Sequence, residues 1–245
     1  MLAVIILILV VLLVVFWFAA WILEAFWWLI LLGIIAKVWF RVRTKREQEQ
    51  RKREIAAEDY RLEPRFLPKV QAAAENIATA YGNNTTAEGK TTVVLYTLQL
   101  RERKYYVGII ESRRFESRMH KHFDGDGTHW TQRYKPVDLL NVIVLENIEE
   151  WSQAEALEDA QTLRVMEMFG AVDVRGGRFT AVDWSALSHW LREHGYALVK
   201  ERKGPFSHLL KVRAPGKELY WKRLNEALNA WENATNKKLG MLRRM

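Results

Sequence analysis

The apolar run at the N-terminus constrains this chain more than any other feature. Leu2 to Leu23 is unbroken, and Ala25 to Ala36 continues it after one interruption at Glu24. About 20 apolar residues suffice for a helix to cross a bilayer core. The stretch from Leu2 to Phe40 would make a helix of roughly 58 Å, more than one span needs. One span continuing into an interfacial segment would fit, as would two short spans in a hairpin. Pro is absent here and Gly33 is the only glycine, so a tight turn near residues 19–24 lacks its usual residues. A single span is therefore expected. Trp17, Trp21, Trp27, Trp28 and Trp39 offer interface anchors at several levels. A cleaved signal peptide would need a basic leading region, and none precedes the run.

The net charge of +8 becomes informative when divided along the 245 residues. Residues 41–53 carry seven Lys/Arg against two Glu, while residues 181–245 carry thirteen Lys/Arg against six Asp/Glu. The segments 54–90 and 91–180 are each slightly acidic. The first basic block follows the apolar run directly. The positive-inside bias then puts everything after a single span in the cytoplasm, with the block facing anionic headgroups. Cysteine is absent, which excludes disulfides and Cys-ligated metal centres.

Residues 44–63 are highly charged and read as a polar helix or linker, punctuated by Pro64 and Pro68. Val70, Ala73, Ala74, Ile77 and Tyr81 recur at helical spacing, so a short amphipathic helix is expected over 69–81. A polar loop to Gly89 follows. Thr91 to Leu100 and Tyr105 to Ile110, joined by a polar turn, read as a β-hairpin. Arg113 to His122 suits a helix, with Phe115 and Met119 four apart and Arg118 and His122 four apart on one face. A third strand is expected over 139–145 and a helix over 154–169.

In order and spacing, these residues resemble the GIY-YIG nuclease family. Val94-Leu95-Tyr96 matches the first motif and Tyr106-Val107-Gly108 the second. Arg118 and His122 match the arginine and histidine of the next helix, and Glu158 the glutamate of the later one. Gly125 to Thr131 resembles the glycine-to-Trp-Thr stretch of small members. The run ending in Val174-Arg175-Gly176-Gly177 resembles a subgroup that closes its nuclease domain on that motif. The resemblance covers residues 91–180. The first motif lacks the family's glycine, and the longer connection before the helix brings Arg113 and Arg114 into consideration beside Arg118.

The resemblance implies a phosphodiester hydrolase acting on DNA with one divalent ion, Mg²⁺ or Mn²⁺, held by Glu158. A hard cation that keeps several waters needs few protein ligands. Tyr96 would deprotonate the attacking water, Arg118 would stabilise charge on the phosphate, and Tyr106 and His122 would orient water or phosphate. A phenol has a pKa of ~10, so Tyr96 would need help to ionise. His129, Trp130, Arg175, Lys200, Arg202 and Lys203 are candidate substrate contacts. His120 and His122 fall on different helical faces, which argues against a zinc site with His129.

Beyond residue 180, a helix over 184–194, a basic hairpin over 196–212 and a helix over 218–234 are expected. Together they read either as a small basic α+β module that binds nucleic acid or as an extension packed on the nuclease domain. The expected fold is thus α+β in four parts. Residues 1–40 form a transmembrane anchor, and 41–90 a basic juxtamembrane segment, linker and short helix. Residues 91–180 form a small antiparallel sheet flanked by helices, and 181–245 a basic α+β region. The expected function is a metal-dependent endonuclease at the cytoplasmic face of the inner or plasma membrane, with DNA and the lipid bilayer as partners. An inactive nucleic-acid-binding or scaffold protein of the same fold is the alternative.

Overall fold

A computed structural model of the chain describes residues 2–82, 91–204 and 207–242. Helix α1 runs Leu2–Tyr81 as one element. The chain forms two compact units, residues 1–54 and 55–245. The transmembrane anchor expected over residues 1–40 is corrected: among the described residues, no helix is long and apolar enough to cross a membrane. The apolar stretch is not set off as an element of its own, because its helix continues without a break into the charged residues after Phe40. Large apolar side chains described along this stretch, among them Trp17, Trp27 and Trp39, are exposed.

The separate short helix expected over 69–81 is the end of α1, which carries Pro64 and Pro68 in its interior. Each proline removes one backbone donor but fits the helical φ, so the helix survives where tertiary packing supports it. That packing comes from Phe66, Val70, Ile77 and Tyr81, all buried. The polar loop expected beyond Gly82 lies outside the described residues.

Strands β1 (Thr91–Leu100), β2 (Lys104–Glu111), β3 (Pro136–Ile148) and β4 (Val174–Arg175) form one sheet in the order β3-β1-β2-β4. β1 pairs antiparallel with β2 and β3, while β4 joins β2 in parallel, so the expected antiparallel sheet gains one short parallel edge. The turn between β1 and β2 has Glu102 and Arg103 at φ 59° and 53°. Two consecutive positive φ values suit the right-handed twist of a hairpin. Here Asp59 of α1 accepts from the Glu102 N–H, which holds a turn built without glycine.

Side chains alternate across the sheet and bury on both faces. One face, with Val93, Leu95, Val107, Ile143 and Leu145, packs against helices α4 (Trp151–Phe169), α5 (Trp184–Glu193) and α6 (Glu218–Leu242). The other, with Val94, Tyr96, Leu98, Tyr106 and Val144, packs against the end of α1 and against α2 (Phe115–Asp124) and the short α3 (His129–Arg133). Residues after 180 pack on the first face: Leu187, Leu191, Tyr196 and Leu228 share its core. Strands β5 (Ala197–Gly204) and β6 (Ser207–Arg213) form their own hairpin, tied back by the Ala171 N–H donating to the Leu210 carbonyl. α6 covers the free edge of β3. Thr235 accepts from the Val144 N–H, Asn141 donates to Glu232, and Lys238 pairs with Glu146. An edge strand left bare would present unpaired backbone groups. The described residues after 180 thus share the core of the sheet.

Candidate active site

The hairpin register places the two tyrosines. Tyr96 lies opposite Gly108 and Tyr106 opposite Leu98, so the tyrosines are diagonal neighbours on one face. Their rings are 6.3 Å apart. A Cβ at residue 108 would fall 2.4 Å from the Tyr96 hydroxyl oxygen, so the glycine is what lets the ring lie across β2. Both tyrosines are buried. Burial pushes the Tyr96 phenol well above its ordinary range, with Tyr106 adding to the effect and Arg118 opposing it. Tyr106 is raised by burial and then by Glu158, again against Arg118.

Helix α2 supplies the next two groups. Phe115, Met119 and His122 form its buried stripe, with Arg118 half-buried beside them. The His122 ring sits 5.9 Å from that of Tyr96 and 5.1 Å from that of Tyr106. Its Nε2 is 2.9 Å from the Tyr96 hydroxyl and its Nδ1 is 2.8 Å from Thr131 Oγ1. Burial, then the nearby Arg118 charge, lowers its pKa to about 3, so the imidazole is neutral at any ordinary pH. Arg118 is the arginine that faces both phenols. Arg113 is turned away to pair with Glu111.

Glu158 comes from α4, and its charge acts on Tyr96, Tyr106 and Arg118. Burial raises its pKa to about 7, with Asp159 and Glu155 adding and Arg118 opposing. One backbone donor supports it: the Gly177 N–H bonds Oε1 at 3.1 Å. Gly177 has a φ of 48°, which a glycine adopts without strain. Asp159 anchors the same turn by accepting from the N–H and guanidinium of Arg178. The Gly176-Gly177 turn thus lays a backbone donor on the candidate metal ligand. Its two glycines are the one sign of this along the sequence.

The five residues Tyr96, Tyr106, Arg118, His122 and Glu158 therefore share one neighbourhood. Among the described residues no group of three or more His, Asp or Glu side chains is placed to hold a metal ion. A half-buried carboxylate with one oxygen bonded by the Gly177 N–H suits an ion that keeps most of its ligands as water.

The candidate substrate contacts divide. His129 is exposed and borders a cavity of about 330 Å³ that also touches Tyr106, Gly127 and Thr128. Trp130 is buried and donates from Nε1 to the Tyr105 carbonyl, which fixes α3 against β2. Arg175 is almost fully buried under the Trp130 ring, its guanidinium donating to the carbonyls of Ala171, Val172, Val174, Ala181 and Val182. Its guanidinium thus clamps the surrounding backbone, while the residue also borders the cavity beside His129. Lys200 and Arg202 are exposed on β5, and the Lys203 side chain lies outside the described residues. Thr131, read from the sequence only as part of a motif, is in direct contact with His122.

No protein-family model, no curated protein and no solved structure matches this chain.

Proposed function

We propose that the chain is a divalent-metal-dependent endonuclease of the GIY-YIG type that hydrolyses DNA phosphodiester bonds. The observation that carries this reading is the gathering of two phenols, a neutral imidazole, a guanidinium and a half-buried carboxylate, with a glycine making room for one of the rings. A packed core has no need of that polar set, and burying it has a cost.

In this reading the scissile phosphate lies against Arg118, which stabilises charge developing on its oxygens. Glu158 would hold a divalent ion, which supplies charge neutralisation at the phosphate. Water attacks phosphorus and the bond to the leaving oxygen breaks, that oxygen taking a proton from solvent water. The attacking water's proton passes to the Tyr96 oxygen as the Tyr96 proton passes to His122 Nε2, 2.9 Å away. That coupling avoids a free phenolate, which burial of Tyr96 disfavours, and the imidazolium, which burial and Arg118 disfavour in turn, is transient and returns its proton to solvent. Exposed Lys200 and Arg202 belong to the strongly basic C-terminal part and are placed to contribute backbone affinity that salt weakens.

The chain is further proposed to work at the cytoplasmic surface of the inner or plasma membrane. Support comes from the exposed apolar side chains of residues 13–42 and the seven Lys/Arg of residues 41–53, which complement anionic headgroups. What is proposed is attachment to the lipid surface. Flotation with anionic vesicles tests it, and recovery of the chain only in the vesicle-free fraction would overturn it.

The nuclease reading is tested with the full chain, in mild detergent to cover its exposed apolar side chains, on supercoiled plasmid with Mg²⁺. Nicking that is lost with chelator and in Glu158→Ala is expected. DNA binding without cutting under all metals tried would indicate an inactive binding protein of the same fold.

A further inference from the structure

We infer that Thr131 is a positioning residue that fixes the tautomer of His122, leaving Nε2 bare to face the Tyr96 hydroxyl. The inference rests on the proposed role of His122 as the acceptor of the Tyr96 proton.

The hydrogen bonds give the direction. Thr131 is the third residue of α3, whose N-cap is Thr128. Its hydroxyl lies 3.1 Å from the Thr128 carbonyl, which can only accept, and 3.3 Å from the Thr128 hydroxyl, so we assign its proton to the carbonyl. A hydroxyl has one proton to give, so toward His122 Nδ1, 2.8 Å away, Thr131 Oγ1 is an acceptor. Nδ1 therefore carries the imidazole proton. A neutral imidazole has only one, so Nε2 is a lone pair, and the 2.9 Å contact with Tyr96 is the phenol donating to it. The chain of donors runs from Tyr96 through His122 and Thr131 to a backbone carbonyl that cannot rotate away.

Two further observations show that the segment is built around this contact. Thr131 and His122 are both buried, so water does not compete for either ring nitrogen. Gly127 lies directly over the bond: a Cβ there would come 2.3 Å from Thr131 Oγ1 and 2.4 Å from His122 Nδ1. The glycine leaves the histidine and threonine room to meet. The groups facing His122 are Arg118 on its own helix, Tyr96 and Tyr106 on the hairpin, and Thr131 on α3. Of these, Thr131 alone bonds Nδ1. With the other tautomer, Nε2–H would point at a phenol that then has nowhere to send its proton.

The test compares the full chain with Thr131→Val, which keeps the shape and removes the hydroxyl, and Thr131→Ser, which keeps the hydroxyl. Two-bond ¹H–¹⁵N correlation of the imidazoles reads the tautomer directly, and plasmid cleavage is followed across pH. In the native chain Nδ1 of His122 is expected to carry the proton. Thr131→Val should populate both tautomers, lower kcat by roughly ten- to a hundredfold and alter its pH profile. KM for DNA should stay within about twofold if Thr131 acts through His122 rather than on substrate. Thr131→Ser should restore both tautomer and rate. A native His122 protonated on Nε2 overturns the inference, as does a valine variant with unchanged tautomer and pH profile. If the native chain cuts no DNA, the nuclease reading fails, and the tautomer measurement still decides whether Thr131 sets His122.

Discussion

Tyr96 and Gly108 face each other across β1 and β2, and a side chain at residue 108 would overlap the Tyr96 ring at both its hydroxyl oxygen and the carbon that bears it. The ring cannot retreat, because Phe115 and His122 pack edge-on against it. Gly108→Ala is therefore expected to move the Tyr96 hydroxyl off His122. Overpacking of this kind costs about 1–3 kcal/mol, and cleavage should fall by at least a hundredfold with a shift of that size at the reacting centre. Urea unfolding and plasmid nicking on the same preparation separate the two effects. Full activity in the alanine variant would show that the Tyr96 position does not matter to the chemistry.

In the proposed reading Glu158 is the metal ligand, so its ionisation would control metal loading. With a pKa of about 7 in the metal-free protein, it must lose a proton to become a ligand. Apparent Mg²⁺ affinity is then expected to rise about tenfold per pH unit below pH 7 and to level off above it. Isothermal titration at pH 5.5, 6.5 and 8 reads this. An affinity flat across that range would remove Glu158 as the ligand.

The same group makes the metal-free fold sensitive to pH. Its folded pKa is raised from 4.5 to about 7, so the fold favours the protonated acid. That favourable contribution is fully present below pH 4.5 and is lost as pH rises through 7. Glu158→Gln should therefore be more stable than the native chain at pH 8 in chelator, by on the order of 2 kcal/mol, and equal to it at pH 4. Urea midpoints at the two pH values check the difference, which isolates this carboxyl from all other titrating groups.

The parts of this fold that depend on local pattern could be read from the residues. Runs rich in apolar and β-branched residues placed β1 and β2, and the four-residue spacings of Phe115 with Met119 and Arg118 with His122 placed α2. The five candidate site residues followed from the family resemblance in their order and spacing. Long-range geometry was hidden. Pro64 and Pro68 looked like helix breaks, yet Phe66 and Val70 bury against the sheet and hold the helix through them. The parallel pairing of Val174 and Arg175 with β2 covers two residues, too few to leave a periodic signal. The fate of Arg175 was equally hidden, because the carbonyls it bonds lie in two segments, 171–174 and 181–182, whose meeting no spacing announces. The apolar N-terminal run suggested a span, and composition alone did not show that its helix continues unbroken to Tyr81.

Arg175 tests the distinction between a clamp and a contact. Burial lowers its pKa to about 10, which still leaves it charged, and its donors are spent on five carbonyls. Arg175→Met should leave those carbonyls without a partner and cost about 3 kcal/mol or more. Because Arg175 belongs to β4 and the Gly177 turn follows it directly, the support of Glu158 should loosen as well. DNA affinity of the fraction that remains folded should change little, as judged by anisotropy alongside urea unfolding. Charge removal at exposed Lys200 should do the reverse, weakening DNA binding and its salt dependence while leaving stability within about 0.5 kcal/mol.

Tyr96 carries the last prediction. The phenol is buried, raised in pKa and donates to a histidine whose own pKa is about 3, so at rest the proton stays on Tyr96. A residue that merely filled space would tolerate loss of the hydroxyl, apart from the roughly 1–3 kcal/mol cost of leaving His122 Nε2 without its donor. A residue that passes a proton from water to His122 would not. Tyr96→Phe is expected to keep the fold, with a urea midpoint only slightly lowered, and to lose about 10²- to 10⁴-fold in kcat at every pH. Tyr106→Phe, whose ring contacts His122 without a hydrogen bond to it in this network, should lose less. Single-turnover cleavage of the two variants beside the native chain decides the matter. A Tyr96→Phe variant that keeps more than a tenth of the native rate would show that the proton leaves the attacking water by another route.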